Sequence, residues 1–321
     1  MKELVVISGK GGTGKTTITA CFAALAERQV LADADVDAAD LFILLNPEIK
    51  QREEFRSGAV AKIDHRRCTQ CGECIELCRF EAIMPDFRVD PVDCEGCAVC
   101  ARFCPAEAIQ MQPCVSGEWY ISDTRYGPFV HAKLGVGEEN SGKLVTVVRH
   151  HARLIAEECD LNWIIVDGPP GIGCPVISSL TGSDAVLIVT EPTLSGIHDM
   201  KRVSDLAAYF RVPKAVCINK WDLNGEISQE IADYCRHEGM RVVGKIPYDR
   251  IVTEALVQRK ILVEYDPLCS VSQEIKGIWE EVQGMVGSQA SQVQARERYA
   301  GVRDGSSVTS YSQEGEGWKT S

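Results

Sequence analysis

Residues 9–16 read Gly9-Lys10-Gly11-Gly12-Thr13-Gly14-Lys15-Thr16, directly after a short apolar run at residues 3–7 and directly before a helical pattern from about 14 to 27. No other stretch constrains the fold so tightly. In a Gly-rich turn between a buried strand and a helix, the glycines let backbone N–H groups curl around phosphate oxygens while the helix N-terminus favours the anion. Lys15 supplies positive charge, the Thr16 hydroxyl can ligate Mg2+, and Thr17 extends the nucleotide-binding set. A plain strand–helix connection would also favour glycine, but it does not require the full motif in this context.

Downstream, the apolar pattern alternates. Residues 30–33 read as a second short strand ending in an acidic loop, and 163–166, 185–189, 215–218 and 242–246 as further buried strands. Leu144, Val148, Ala152, Ile155 and Cys159 recur at helical spacing, and helices are expected near 195–210 and 227–238. Val271, Ile275, Ile278, Trp279, Val282 and Met285 make a last amphipathic helix. Short apolar strands alternating with helices predict an α/β fold, a mostly parallel sheet with helices on both faces. Residues 288–321 are rich in Ser, Gln, Gly and Glu and are expected to form a disordered polar tail.

The alternation breaks at about residue 51. Eight of the fifteen cysteines fall in two runs of one spacing, Cys68-x2-Cys71-x2-Cys74-x3-Cys78 and Cys94-x2-Cys97-x2-Cys100-x3-Cys104. Glu81-Ala82-Ile83 follows the first run as Glu107-Ala108-Ile109 follows the second. The repeat predicts a pseudo-symmetric α+β insert at 61–113, dividing a domain made of residues 1–60 and 114–287. The spacing is that of bacterial ferredoxins, in which three close thiolates hold one [4Fe-4S] cube and the fourth reaches the other. On that rule Cys68, Cys71, Cys74 and Cys104 take one cluster, and Cys78, Cys94, Cys97 and Cys100 the second. Zinc sites are usually built from separated Cys-x2-Cys halves and fit this pattern poorly. One departure is present: Pro105 follows Cys104, whereas Arg79 follows Cys78.

Lys10 gives the phosphate loop a second lysine, and Lys10-Gly11-Gly12-Thr13-Gly14-Lys15-Thr16 resembles the deviant Walker A loop of the MinD, Mrp, ParA and nitrogenase-iron-protein superfamily. That resemblance implies that Lys10 reaches across a dimer to the partner's nucleotide; a solvated surface lysine is the alternative. Asp33-Ala34-Asp35-Val36-Asp37-Ala38-Ala39-Asp40 looks like the superfamily's first switch, with Asp35 matching the aspartate that positions the attacking water and Asp40 the distal acid. The choice between Asp35 and Asp37 rests on spacing, and a solvated acidic loop would read similarly. Asp167-Gly168-Pro169-Pro170-Gly171 resembles Walker B with the second switch. Asp167 would then join Thr16 and Asp35 around Mg2+, and the Gly171 N–H would meet the γ-phosphate.

Asn219-Lys220-x-Asp222 and Pro247-Tyr248-Asp249 match the superfamily's base-contacting loops, although Asn and Asp also favour ordinary turns. The resemblance spans about 1–50 and 115–285 and, with the cysteine insert, is to MinD-superfamily ATPases that carry a ferredoxin domain. Residues 126–143 also look like that family and read as a Gly-rich loop able to move. Cys174 stands where the nitrogenase iron protein places a cluster-ligating cysteine. With no second cysteine to complete a bridged site, it is read as a buried small hydrophobe. Cys21, Cys159, Cys217, Cys235 and Cys269 read as core or neutral.

The net charge of −12, without a long Lys/Arg run, argues against a nucleic-acid partner. No stretch approaches the ~18 apolar residues of a membrane span. The chain enters a strand from Met1 without a signal-peptide pattern, so a cytoplasmic protein without membrane insertion is expected. The expected cofactors are ATP or ADP, Mg2+ and two [4Fe-4S] clusters. The expected partners are a second copy or a similar ATPase, and a redox or metallocofactor protein. Three functions fit: an ATP-driven dimer cycle gating electron transfer, an iron–sulfur or metal-cofactor carrier, and a MinD-like positioning ATPase with structural clusters. Eight-cysteine sites favour the first, because carriers usually need open, labile sites with few cysteines. The acidic polar side of the last helix (Glu274, Glu280, Glu281) disfavours the third, since anionic lipid would repel it.

Overall fold

The computed structural model describes residues 1–135 and 140–300, with side chains through 287. It opens with β1 (Lys2–Ser8), α1 (Lys15–Leu25), β2 (Gln29–Asp33) and the short α2 (Leu41–Leu45). The cysteine segment follows β3 (Glu48–Ile63), contains α3 (Glu73–Leu77) and α4 (Val99–Arg102), and returns through β4 (Ile109–Thr124). Next come β5 (Gly127–Leu134), α5 (Ser141–Glu158), β6 (Trp163–Pro170), α6 (Cys174–Leu180), β7 (Ala185–Thr190) and α7 (Leu194–Tyr209). The chain closes with β8 (Lys214–Asn219), α8 (Gly225–His237), β9 (Arg241–Ile246), α9 (Arg250–Val257), α10 (Leu262–Tyr265) and α11 (Ser270–Ala300).

The nine strands of the described residues form one sheet in the order β3-β4-β5-β2-β6-β1-β7-β8-β9. From β5 to β9 every neighbouring pair is parallel, whereas β3–β4 and β4–β5 are antiparallel. Leu4, Val5, Val6 and Ile7 are all fully buried, as is β7. A strand apolar at consecutive positions is stable only where helices cover both faces, which places β1 in the middle of the sheet. At the amino end of β1, Glu3 is buried and is met by Arg149 Nε at 2.5 Å and Arg153 Nη2 at 2.6 Å from α5. Those partners offset the cost of burying its charge.

Three expectations are corrected. Residues 126–143 are not a loop: most of the stretch is β5 and the start of α5, and residues 136–139 lie outside the described ones. Phe129 and Val130 of β5 are fully buried, and Gly127, at φ +120°, lets the strand start pack against the Gln29 carbonyl, where a Cβ would come within 2.6 Å. The break at residue 51 is instead the middle of β3, whose Lys, Arg and Glu residues suit a sheet edge that must not recruit further strands. Finally, α11 continues to Ala300, through a stretch of Gln, Ala, Arg and Glu, which are good helix formers. The rest of the expected tail, 301–321, lies outside the described residues.

In the cysteine segment the repeat extends to the backbone. Gln70 and Gly96, Gly72 and Ala98, and Glu81 and Glu107 occupy equivalent places in the two runs, and all six have positive φ. Ala82 and Ile83 of the first run and Ala108 and Ile109 of the second are buried alike. Among the described residues no helix is long and apolar enough to cross a membrane.

Candidate functional site

β1 ends at Ser8 and α1 begins at Lys15, so residues 9–14 turn at the carboxyl edge of the sheet, where open α/β sheets bind ligands. Gly14 sits at φ +91°, and a Cβ there would come within 2.4 Å of Asn219 Nδ2. The turn therefore requires glycine. Lys15 is buried, with Nζ 3.1 Å from Asp167 Oδ1 and 3.2 Å from Asp35 Oδ2. Burial works against its ammonium, but Asp167, Asp35 and Asp33 outweigh that and hold its pKa above the ordinary lysine value. Thr16 Oγ1 donates to Asp167 Oδ2 at 2.7 Å, and Thr19 Oγ1 to Asp167 Oδ1 at 3.1 Å.

These groups stand on a cleft of about 490 Å³, the size of a small-molecule site. Gly11, Gly12, Thr13, Gly14, Lys15, Thr16 and Thr17 line one end, with Asp35 and Asp40. Asn219, Pro247, Tyr248, Leu262 and Ile275 line the rest of it. Thr13 Oγ1 is buried without a hydrogen-bond partner in the chain, a vacancy a phosphate oxygen would fill. The donor set of Thr16, Asp35 and Asp167, all oxygen, suits Mg2+.

The structure separates the two candidate switch aspartates. Asp35 is buried against Lys15, and Asp37 is exposed. Burial pushes the Asp35 carboxyl up against the pull of Lys15. The Gly171 N–H, expected at the γ-phosphate, donates instead to Ser8 O at 2.9 Å. Asn219 Nδ2 donates to Thr13 O at 2.7 Å and Asp222 Oδ1 accepts from Tyr248 N at 2.7 Å, so both brace loops of the cleft. Gly9 packs against Asp199, where a Cβ would come within 2.4 Å.

Lys10 turns away from the cleft to Glu191 Oε1 at 2.6 Å and to Thr193 Oγ1 and Ser195 Oγ, each at 3.0 Å. Asp33, Thr19 and Glu191 carry no sequence signal that singles them out. Asp33 is fully buried and accepts from Asp35 N at 3.1 Å and Leu41 N at 3.2 Å. Burial, then Asp167, pushes its carboxyl well above the usual range.

The eight thiols sort into two neighbourhoods. Cys78, Cys94, Cys97 and Cys100 line one small cavity with Ala61, Ile83 and Met111. Burial, then the nearby Cys68, Cys71 and Cys104, pushes the Cys74 thiol up. Cys104 Sγ accepts from Ala108 N at 3.3 Å. Among the described residues no three His, Cys, Asp or Glu side chains converge as they would around a single metal ion. In a cube each cysteine binds a different iron, which spaces the sulfurs more widely. Four thiols in each run are the donor set that such clusters take. Cys174 is corrected: it is exposed in the first turn of α6, where Pro175 is the next residue.

Residues 4–263 match the family model described as the CobQ/CobB/MinD/ParA nucleotide binding domain. An uncharacterized protein of Methanocaldococcus jannaschii is 33% identical over 288 residues, covering 88% of this chain and 97% of that one. An iron-sulfur cluster carrier protein of the same organism is 24% identical over 307 residues, covering 88% of this chain and 85% of that one. Among solved structures, the septum site-determining protein MinD of Pyrococcus horikoshii, complexed with Mg-ADP, has the same fold at TM-score 0.53 and 16% identity, covering 89% of this chain and 97% of that one. With its phosphate-binding loop, its parallel sheet and these matches, the chain belongs to the CobQ/CobB/MinD/ParA nucleotide-binding family.

Proposed function

We propose that the protein is a Mg2+-dependent ATPase whose nucleotide cycle, run by a pair of protomers, controls electron transfer through two [4Fe-4S] clusters to a redox partner. The loop at 9–16 and Lys15 hold the phosphates, and Thr16, Asp35 and Asp167 hold Mg2+. Asp35 orients the attacking water, and Lys10 acts on the nucleotide of a second copy, as the superfamily resemblance implies. Residues 61–113 form the ferredoxin-like insert, with Cys68, Cys71, Cys74 and Cys104 holding one cluster and Cys78, Cys94, Cys97 and Cys100 the other. The clusters supply one-electron chemistry.

The observation that carries the coupling is the path of the chain. The loop containing Asp35 and Asp40 runs through the five-residue α2 into β3, which leads to Cys68. Leu134 N donates to Val36 O at 3.1 Å, tying the same loop to β5, which pairs with β4 on the return from the cysteines. A shift of this loop with the γ-phosphate is therefore transmitted to both strands of the ribbon.

The likeness to an iron-sulfur cluster carrier protein favours a second reading, in which the clusters are cargo. An anaerobic redox titration followed by electron paramagnetic resonance, with and without MgATP, tests the first. It expects ATP to shift the potentials or line shapes. Two clusters indifferent to ATP that pass intact to an apo acceptor protein would establish the carrier reading instead.

A further inference from the structure

We propose that Glu191, with Thr193 and Ser195, forms a clasp that positions Lys10 within its own protomer and so sets how readily two protomers pair on ATP. The inference rests on the reading above, in which Lys10 serves the nucleotide of a second copy.

An ammonium has three protons to donate. Lys10 commits all of them locally, to Glu191 Oε1 at 2.6 Å, Thr193 Oγ1 at 3.0 Å and Ser195 Oγ at 3.0 Å. The other oxygen of the same carboxylate takes Lys220 Nζ at 3.3 Å, and Lys220 also reaches Gly12 O at 3.3 Å. One acid thus ties the phosphate loop at both its start and its middle. The side chains of Lys10 and Glu191 are 28% and 18% exposed. Their attraction is screened less than that of a surface pair, and water can still reach them when they part.

The clasp is anchored by the sheet. Glu191 directly follows β7, which pairs with β1, the strand that delivers the loop. Thr193 caps α7 by accepting from Gly196 N at 3.0 Å. Gly196 approaches Glu191 O so closely that a Cβ there would lie 2.3 Å away. The acceptors are therefore held in place, and the mobile partner is the flexible side chain of Lys10. Lys10 cannot serve this set and a second protomer's phosphate at once. Pairing on ATP exchanges one anion for another, and the clasp biases that equilibrium toward the single protomer.

The test uses full-length, cluster-loaded protein with Mg2+ and a non-hydrolysable ATP analogue, its pairing followed by analytical ultracentrifugation. Glu191→Gln is expected to tighten pairing about tenfold, and Ser195→Ala about twofold in the same direction. Affinity of the unpaired Ser195→Ala protomer for a fluorescent ATP analogue is expected to change by less than about threefold, since Ser195 does not line the cleft. Pairing by a folded Glu191→Gln protein that equals or falls below that of the wild type overturns the clasp. If that variant fails to fold, an unchanged Ser195→Ala overturns it. Lys10→Ala separates the two readings. Loss of pairing there, with Glu191→Gln unchanged, removes the clasp alone. Undiminished pairing in Lys10→Ala removes both.

Discussion

Around the nucleotide cleft, charged side chains hold one another, whereas in the cysteine segment few side chains hold anything. Lys15 is paired with Asp35 and Asp167, Asp167 accepts from Thr16 and Thr19, and Asp33 accepts from two backbone N–H groups. That network is complete before any ligand arrives. In the cysteine segment the buried cluster is small, with Ala61, Ile63, Cys74, Ile83 and Ile109, and Cys68, Cys78, Cys94, Cys100 and Cys104 pack at its margin. So little apolar surface does not order a segment of that length by itself. The cleft is preorganised by the fold, whereas under the proposed function the cysteine segment is ordered by the clusters that its thiols hold.

The largest expected effect breaks the comparison at its weaker side. Removing iron with a chelator should lower amide hydrogen-exchange protection in residues 64–108 by about a thousandfold, ~4 kcal/mol, and leave β1, β6 and β7 protected. Retained protection there would mean that the five buried residues suffice. The next attacks the stronger side. Lys15→Met leaves Asp33, Asp35 and Asp167 facing one another without their cation and should cost about 3–5 kcal/mol in urea unfolding at neutral pH. Without Lys15 the Asp33 and Asp35 carboxyls lose the cation that opposes their burial and titrate higher still in the folded state, so part of that loss should return as pH falls and they take up protons.

The smallest sharpens the boundary between the regions. His131 of β5 is buried, stacks on Tyr120 and Phe129, and lies 3.1 Å from Ser122 Oγ through Nε2. Burial lowers its pKa to about 4 from the ordinary histidine value of 6.5. The unfolded chain therefore binds a proton between those values that the folded chain refuses. Stability should fall as pH drops from about 6.5 toward 4, by ~3 kcal/mol in all, and level off below. His131→Gln should flatten that dependence in paired melts; an unchanged slope would place the acid sensitivity elsewhere.

Some of this organisation is legible without coordinates. The strands at 163–166, 185–189 and 215–218 show in the sequence because burial on both faces demands apolar residues in succession. β3 does not, because an exposed edge strand carries the Lys, Arg and Glu of an ordinary surface loop. β5 hides behind Gly127 and Pro128, which read as loop residues but here only start the strand. Cys174 reads as buried by residue type alone, but it is exposed, and exposure is decided by how a helix start packs.

What the sequence determined by itself is local chemistry. A phosphate loop works through consecutive backbone N–H groups, and the cysteine runs bring their thiols together through short fixed turns, so both are written in spacing. The tertiary structure decided everything that depends on distant segments meeting. Asp35 rather than Asp37 faces Lys15 because of how β2 ends beside β6, and Asn219 is spent on bracing Thr13. Lys10 lies 183 residues from Thr193, and only the pairing of β1 with β7 brings them within a hydrogen bond. A side chain's partners depend on the packing of the sheet, and no spacing along the chain records that.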